Sequence, residues 1–228
     1  MMNQIIEADA AKLAGLQIDI LQKVRQNKIG MDHLEWFTRL KPDVRGALMR
    51  GEYVLTKVAV AVTVTLLMMA GTVSVPATIK NFVASEKFVI NTTATATVKI
   101  HELSTNFKEW FLKKVEASFA GSELRYQKLV TSSSDTPVIS ELGGKKKAET
   151  TLTEMFFLME KQGHGQDGDL LINGLANIFY IRDVNSVLRC VCLYYWCGDG
   201  WDVYADSTTD PRDWSVDSRV FSRNSDTV

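Results

Sequence analysis

Three cysteines near the C-terminal end of the chain are the first residues with a possible chemical role, because clustered thiolates bind zinc. Cys190, Cys192 and Cys197 lie within eight residues of one another. Their spacing lacks the paired Cys-x-x-Cys elements of structural zinc sites, and a fourth ligand would have to come from a distant histidine or carboxylate. Cysteine is also among the most buried residue types. We therefore predict that these side chains fill a sheet, and that the chain holds no metal and no cofactor.

Carboxylates form a second group in the same stretch. Paired carboxylates such as Asp199 and Asp202 can act as general acid and general base, so one alternative is a hydrolase of unrecognised type that uses this Asp-rich tail. Aspartate is, however, a common turn residue, and the sequence contains no recognisable nucleophile or base motif. We therefore assign no catalytic residue and favour a protein that is not an enzyme. The six aspartates are Asp199, Asp202, Asp206, Asp210, Asp213 and Asp217.

Aromatic residues interleaved with these aspartates favour a binding role. A Cys-Gly-Asp-Gly turn separates Trp196 from Trp201, which predicts a hairpin across which the two indoles pair. Such a pair stabilises a hairpin without any ligand. An aromatic, Asp-lined surface at a sheet edge also suits a peptide or a sugar ring. The predicted binding surface consists of Trp196, Trp201, Tyr204, Trp214, Asp199 and Asp202.

Strands must position these residues. Between Asn177 and Arg223, apolar, aromatic and β-branched runs alternate with short gaps rich in Asp, Asn, Ser and Gly, which is typical of an antiparallel meander. In the run 187–196 both alternating sets of side chains are largely apolar. We therefore expect this strand to lie inside the sheet, with both of its faces covered.

Helix signals precede the meander. Residues 3–28 have apolar positions at helical spacing, and residues 1–52 are predicted to form a helical N-terminal unit. Later helices are expected after Asn106 and after Thr151, which forms a capping box with Glu154, and Gly163 is expected to close the second of them. The predicted fold class is α+β: the N-terminal unit, then a mainly antiparallel domain over 53–228 with two packed helices and a Trp-rich β-meander.

The run 58–79 contains no charged residue, and its length approaches that of a membrane-spanning helix. Valines at every second position from 58 to 64 favour a strand, and Gly71 and Pro76 interrupt the run. We predict a buried strand, a turn and a second strand, and hence a cytoplasmic protein. Membrane association through 58–79 is the alternative.

Composition limits the class of partner. The chain has 228 residues, is 46% hydrophobic and 23% charged, and carries a formal net charge of −1. This composition is typical of a globular protein, and the absence of excess basic charge argues against a nucleic-acid partner. The odd number of cysteines indicates a reducing compartment. We expect an unknown protein or a small ligand as partner, with no membrane association, and the oligomeric state stays open.

Several segments also carry a resemblance. From residue 76 onward the chain resembles a recurrent group of small uncharacterised bacterial proteins that end in a Trp-rich tail. No activity is known for that group, so the resemblance implies only that residues 76–228 form one unit. The segments that carry it include Val-Pro-Ala-Thr at 75–78, Asn-Phe-Lys-Glu-Trp-Phe at 106–111, Glu-Leu-Gly-Gly at 141–144, Ala-Asn-Ile-Phe-Tyr-Ile-Arg-Asp at 176–183 and Arg-Val-Phe-Ser-Arg-Asn-Ser at 219–225.

Overall fold

The structure of the protein is a computed structural model that describes residues 65–223 continuously, together with residues 22, 23, 25, 26, 39 and 42. The chain divides into two compact units, Met1–Val62 and Thr63–Val228. The predicted helical unit 1–52 and its boundary lie outside the continuously described part, so both stay predictions. Among the described residues, no helix combines the length and the apolar character needed to cross a membrane.

Residues 65–223 form ten strands and five helices. The strands are β1 (Leu67–Val75), β2 (Phe82–Val83), β3 (Ile100–Leu103), β4 (Val115–Glu116), β5 (Ser122–Leu129), β6 (Glu149–Thr150), β7 (Asn177–Arg182), β8 (Leu188–Trp196), β9 (Gly200–Ser207) and β10 (Arg219–Arg223). The helices are α1 (Ala84–Lys87), α2 (Thr105–Phe111), α3 (Asp135–Glu141), α4 (Lys145–Ala148) and α5 (Leu152–Lys161).

Eight of these strands form one mixed sheet in the order β1-β5-β10-β7-β8-β9-β3, with β6 beside β7. Strands β2 and β4 form a separate pair. The predicted α+β class is confirmed. The description as mainly antiparallel is incomplete, because β10–β7, β6–β7 and β3–β9 pair in parallel. Parallel neighbours need long crossover connections, which the sequence pattern of the individual strands does not reveal.

The predicted meander holds for β7, β8 and β9, which pair as consecutive antiparallel neighbours. Strand β10 departs from it, because it returns to lie between β5 and β7. Both faces of β8 are covered, as predicted. Val191 and Leu193 belong to the core that contains α2 and α5, whereas Leu188 and Cys190 belong to the core on the α3 side.

The capping box that opens α5 is confirmed. The Thr151 side chain accepts from the Glu154 N–H at 3.2 Å, and the Glu154 carboxylate accepts from the Thr151 N–H at 2.7 Å. The predicted closure at Gly163 is wrong, since Gln162 is the C-cap and Gly163 has no positive φ. A Cβ at Gly163 would lie 2.1 Å from the Thr97 carbonyl oxygen. This glycine is therefore required by close backbone packing.

The start of α2 differs from the expectation. Ser104, rather than Asn106, is the N-cap residue, and its hydroxyl accepts from the Phe107 N–H at 3.1 Å. Asn106 instead donates its side-chain amide to the Ala205 carbonyl at 3.1 Å. Serine satisfies the same capping chemistry as asparagine, so the N-cap lies two residues earlier than predicted and the Asn106 side chain bonds to β9 instead.

The structure describes residues 65–79 of the run 58–79, and they contain one strand, β1, without the predicted turn at Gly71. The predicted burial is only partial, since Met68 and Met69 are 52% and 49% exposed. Residues 58–64, where the valines alternate, lie outside the described residues. Strand β1 continues through Gly71 by way of a bulge between Met69 and Gly71. The ring of Tyr126 on β5 covers this glycine, where an added Cβ would lie 2.4 Å from the phenolic oxygen. The glycine thus makes room for a cross-strand ring.

Candidate functional site

The residues of the predicted binding surface separate in the structure. Trp201 is fully buried, and its indole N–H donates to the Gln162 carbonyl at 3.1 Å. Trp196 is 48% exposed. The two indoles do not pair, because Trp196 lies opposite Gly200 and Trp201 lies opposite Tyr195, whose ring centroid is 5.0 Å away.

The hairpin loop explains this correction. Gly200 already belongs to β9, so the loop contains three residues, and Gly198 and Gly200 adopt φ values of 97° and 124°. A one-residue change of register moves a side chain to the other face of a sheet. The altered register therefore sends Trp201 into the core and leaves Trp196 at the hairpin end.

Of the two aspartates of the predicted surface, Asp202 is buried and paired with a histidine, and Asp199 lies in the hairpin loop. Asp202 is 4% exposed, and its carboxylate lies 2.8 Å from Nδ1 of His101. That hydrogen bond raises the pKa of His101 above its ordinary value, partly opposed by burial and assisted by the charges of Asp202, Asp199 and Glu102. The N–H of Asp199 donates to the Trp196 carbonyl at 3.1 Å within the hairpin loop.

Two of the three cysteines fill the sheet as predicted, and the third does not. Cys190 and Cys192 are buried in β8, and Cys197 is exposed in the loop. Burial raises the pKa of both buried thiols, which disfavours the thiolate form that metals bind. In the described part of the chain, the three side chains close enough to share one ion are His101, Glu102 and Asp202, and the cysteines are not among them.

A cavity of about 350 Å³ lies where β8 and β9 meet the segment 208–218. Two residues of the predicted surface, Tyr204 and Trp214, line it. Its wall also contains residues from α3, the segment 174–176, β8, β9 and the loop after β9. They include Asp135, Cys192, Tyr194, Asp206, Asp210, Arg212 and Asp213.

Trp214 is fixed on the cavity wall by three hydrogen bonds. Its backbone N–H donates to the Ser133 carbonyl at 2.9 Å, and its own carbonyl accepts from the Ser132 hydroxyl at 2.8 Å. Its indole N–H donates to Oδ1 of Asp135 at 2.8 Å. Because side chain and backbone are both held, the indole is positioned before any ligand arrives.

Asp135 is the least exposed charged group of the cavity, at 2% exposure. It starts α3, and its Oδ1 also accepts from the Tyr180 hydroxyl at 2.8 Å. Burial raises the pKa of this carboxyl, and the negative charge of Asp206 adds to the effect. Hydrogen bonds from Trp214, Tyr180 and Cys190 oppose the rise without cancelling it.

Arg212 is the basic residue among those that line the cavity, and it is paired. Its guanidinium donates to both carboxylate oxygens of Asp210, at 3.0 and 2.9 Å, and lies 3.3 Å from Asp206. The same contacts lower the pKa of the Asp210 carboxyl. Since the arginine side chain is 72% exposed, these pairs stabilise the fold little, but they neutralise its charge at the cavity mouth.

Sequence reasoning missed Asp135, Tyr194 and Arg212 as site residues. Asp135 lies in a polar segment and is separated from Trp214 by 79 positions. A signal existed for Tyr194, because strand alternation places it on the same face as Cys192. No local signal marked Asp135.

No family model, curated protein or solved structure matches this chain. The resemblance to Trp-tailed bacterial proteins therefore stays a prediction.

Proposed function

We propose that the protein is a non-enzymatic binding protein, which takes a small ligand or a side chain of a protein partner into the cavity beside Trp214. One observation carries the proposal. Aromatic, hydrogen-bonding and charged groups from distant parts of the chain converge on a cavity of about 350 Å³. Ligand sites are concave, mostly preformed and furnished with a few convergent polar groups.

The anchoring of the wall supports this function. Trp214 is held at its backbone and at its indole, and Asp135 is held by Tyr180 and Trp214. A preformed wall reduces the ordering entropy that binding would otherwise consume. This arrangement favours recognition of a ligand over a purely structural role.

A thermal-shift screen with a library of small polar compounds tests the proposal. We expect at least one compound to raise the melting temperature, because a ligand that binds the folded state stabilises it. The variant Ser215→Trp should abolish that shift, since Ser215 is exposed and lines the cavity. Ser140→Trp is the matched control, because Ser140 is exposed outside the cavity lining. Compounds that bind both variants equally would contradict the proposed site.

A hydrolase is the second candidate, and the raised pKa of Asp135 favours it. A raised pKa is the direction that a carboxyl needs in order to act as a general acid, and Asp206 lines the same cavity as a second carboxyl. These residues replace Asp199 and Asp202 as the pair to test. Activity on a broad panel of ester, amide and glycoside substrates should fall at least 100-fold in Asp135→Asn. Full activity in that variant, or a silent panel, would count against the hydrolase.

A further inference from the structure

We propose that the cavity beside Trp214 recognises an organic cation, namely an ammonium group carried by a small amine or by a lysine side chain. The inference rests on the proposed function and names the class of its ligand. It follows from the balance of charge around the cavity, from the pairing of its arginine and from its aromatic lining.

Charge on the lining is negative. Among the described residues, the lining contains four aspartates and one arginine, Arg212, and no other charged residue. The aspartates are Asp135, Asp206, Asp210 and Asp213. Even with Asp135 protonated, three carboxylates stand against one guanidinium. The field inside the cavity therefore attracts cations and repels anions.

The pairing of Arg212 strengthens this argument. An anionic ligand would need a free guanidinium, yet this one already donates to both oxygens of Asp210 and lies 3.3 Å from Asp206. An anion would have to displace those carboxylates. A cation needs no such rearrangement.

Aromatic lining favours an organic cation over a metal ion. Tyr194, Tyr204 and Trp214 line the cavity, and the two tyrosine rings meet edge to face with centroids 5.9 Å apart. Ammonium groups gain stabilisation from aromatic faces, whereas a metal ion requires several oxygen ligands converging on one point. Among the described residues the group able to share a metal ion lies elsewhere, at His101, Glu102 and Asp202.

Three probes with the same five-carbon chain test the charge directly: pentylamine, pentanol and pentanoate. Binding is measured by isothermal titration calorimetry at low ionic strength. We expect pentylamine to bind at least tenfold more tightly than pentanol, and pentanoate not to bind. Raising the salt concentration should weaken pentylamine binding, because the attraction is partly Coulombic.

Variants that remove one negative charge test whether the carboxylates of the cavity attract pentylamine. Asp206→Asn should weaken pentylamine binding about fivefold, the effect of removing one nearby charge in a water-exposed site. Asp213→Asn is a second variant in case the first disturbs β9. Asp167→Asn is the matched control, because Asp167 is exposed and does not line the cavity. The control should bind pentylamine like the parent protein.

The two sources of an ammonium group are separated by peptides. The peptides are N-acetylated and C-amidated, so that the lysine carries the one ammonium group. Capped Gly-Gly-Lys-Gly-Gly that binds as tightly as pentylamine, while capped Gly-Gly-Gln-Gly-Gly does not, identifies a lysine of a protein partner. If pentylamine binds and neither peptide does, the ligand is a free amine. Equal binding of pentylamine and pentanol would overturn the cation inference and leave the binding function standing. If no probe binds and the compound screen finds no ligand for the cavity, both proposals fall.

Discussion

Two buried aspartates, Asp135 and Asp183, have nearly the same exposure and opposite pKa shifts. Asp135 is 2% exposed and Asp183 is 3% exposed. The pKa of Asp135 is raised, whereas that of Asp183 is lowered. Burial works to raise both, and the partners that oppose it differ between the two carboxyls.

The partners of Asp183 include a charge. Its Oδ1 accepts from the N–H groups of Asn185 and Val187 at 2.8 and 2.9 Å, and its Oδ2 accepts from Nε of Arg189 at 2.9 Å. Burial is the largest single influence and would raise the pKa of Asp183, but these bonds and the charge of Arg189 together outweigh it. The guanidinium itself lies 3.9 Å from the Trp110 ring centroid.

The partners of Asp135 are neutral. A phenol, an indole and a thiol donate to its carboxyl, and the nearby charge is the negative one of Asp206. Neutral donors stabilise a carboxylate less than an ionic partner does. Asp183 is therefore a carboxylate that closes the turn between β7 and β8 with an ionic partner, whereas Asp135 is a carboxyl that lines a cavity and accepts from neutral donors.

The largest expected effect is that of Asp183→Asn on stability. We expect a loss of about 3 kcal/mol at pH 7, because the amide places a donor against Arg189 and leaves a partly buried charge without its partner. Urea denaturation followed by fluorescence measures the free energy of unfolding. A loss below about 1 kcal/mol would show that the ion pair is not what holds this turn, since exposed pairs have that effect.

The matched substitution Asp135→Asn should change the free energy of unfolding by less than about 1 kcal/mol at pH 7, because the amide oxygen still accepts from Tyr180 and Trp214. The same denaturation experiment measures it. A loss as large as that of Asp183→Asn would mean that Asp135 is a structural carboxylate, and the contrast between the two residues would disappear.

Local patterns could be predicted from the sequence, whereas contacts between distant segments could not. The capping box of Thr151 and Glu154 and the two apolar faces of β8 are local patterns, and both were predicted. The contact between Asp135 and Trp214 spans 79 positions and depends on where β10 returns, which no local pattern encodes. The position of Trp201 depended on one residue of hairpin register, in a loop where Gly198 and Gly200 both adopt positive φ.

The pH dependence of stability should have opposite signs at the two residues. Asp183 has a lowered pKa, so its contribution is present above the unfolded value near 3.8 and is lost as the pH falls through the folded pKa. Asp135 has a raised pKa, so its contribution is present below 3.8 and is lost as the pH rises through the folded pKa. Denaturation of the parent and of the two Asn variants from pH 2 to pH 8 measures how the contribution of each aspartate to the free energy of unfolding changes with pH. If the two contributions changed in the same direction, the opposite pKa shifts of Asp135 and Asp183 would be refuted.

The smallest effect concerns a third buried aspartate, Asp202, whose partner is a histidine that titrates. The hydrogen bond to Asp202 raises the pKa of His101 above 6.5. We expect Asp202→Asn to lower it towards that ordinary value, and Asp167→Asn, which removes a distant exposed charge, to leave it unchanged. An NMR titration of the His101 ring measures the shift.

The effect of this pair on stability has the sign of a raised histidine pKa: the stability that the His101–Asp202 bond contributes is full below the unfolded pKa and is lost as the pH rises through the folded pKa. Because His101 is 48% exposed, the effect should be visible in the titration before it is visible in unfolding. An unchanged His101 pKa in Asp202→Asn would show that the bond is too weak to discriminate between the two protonation states. Asp202 would then be stabilised by β9 packing alone.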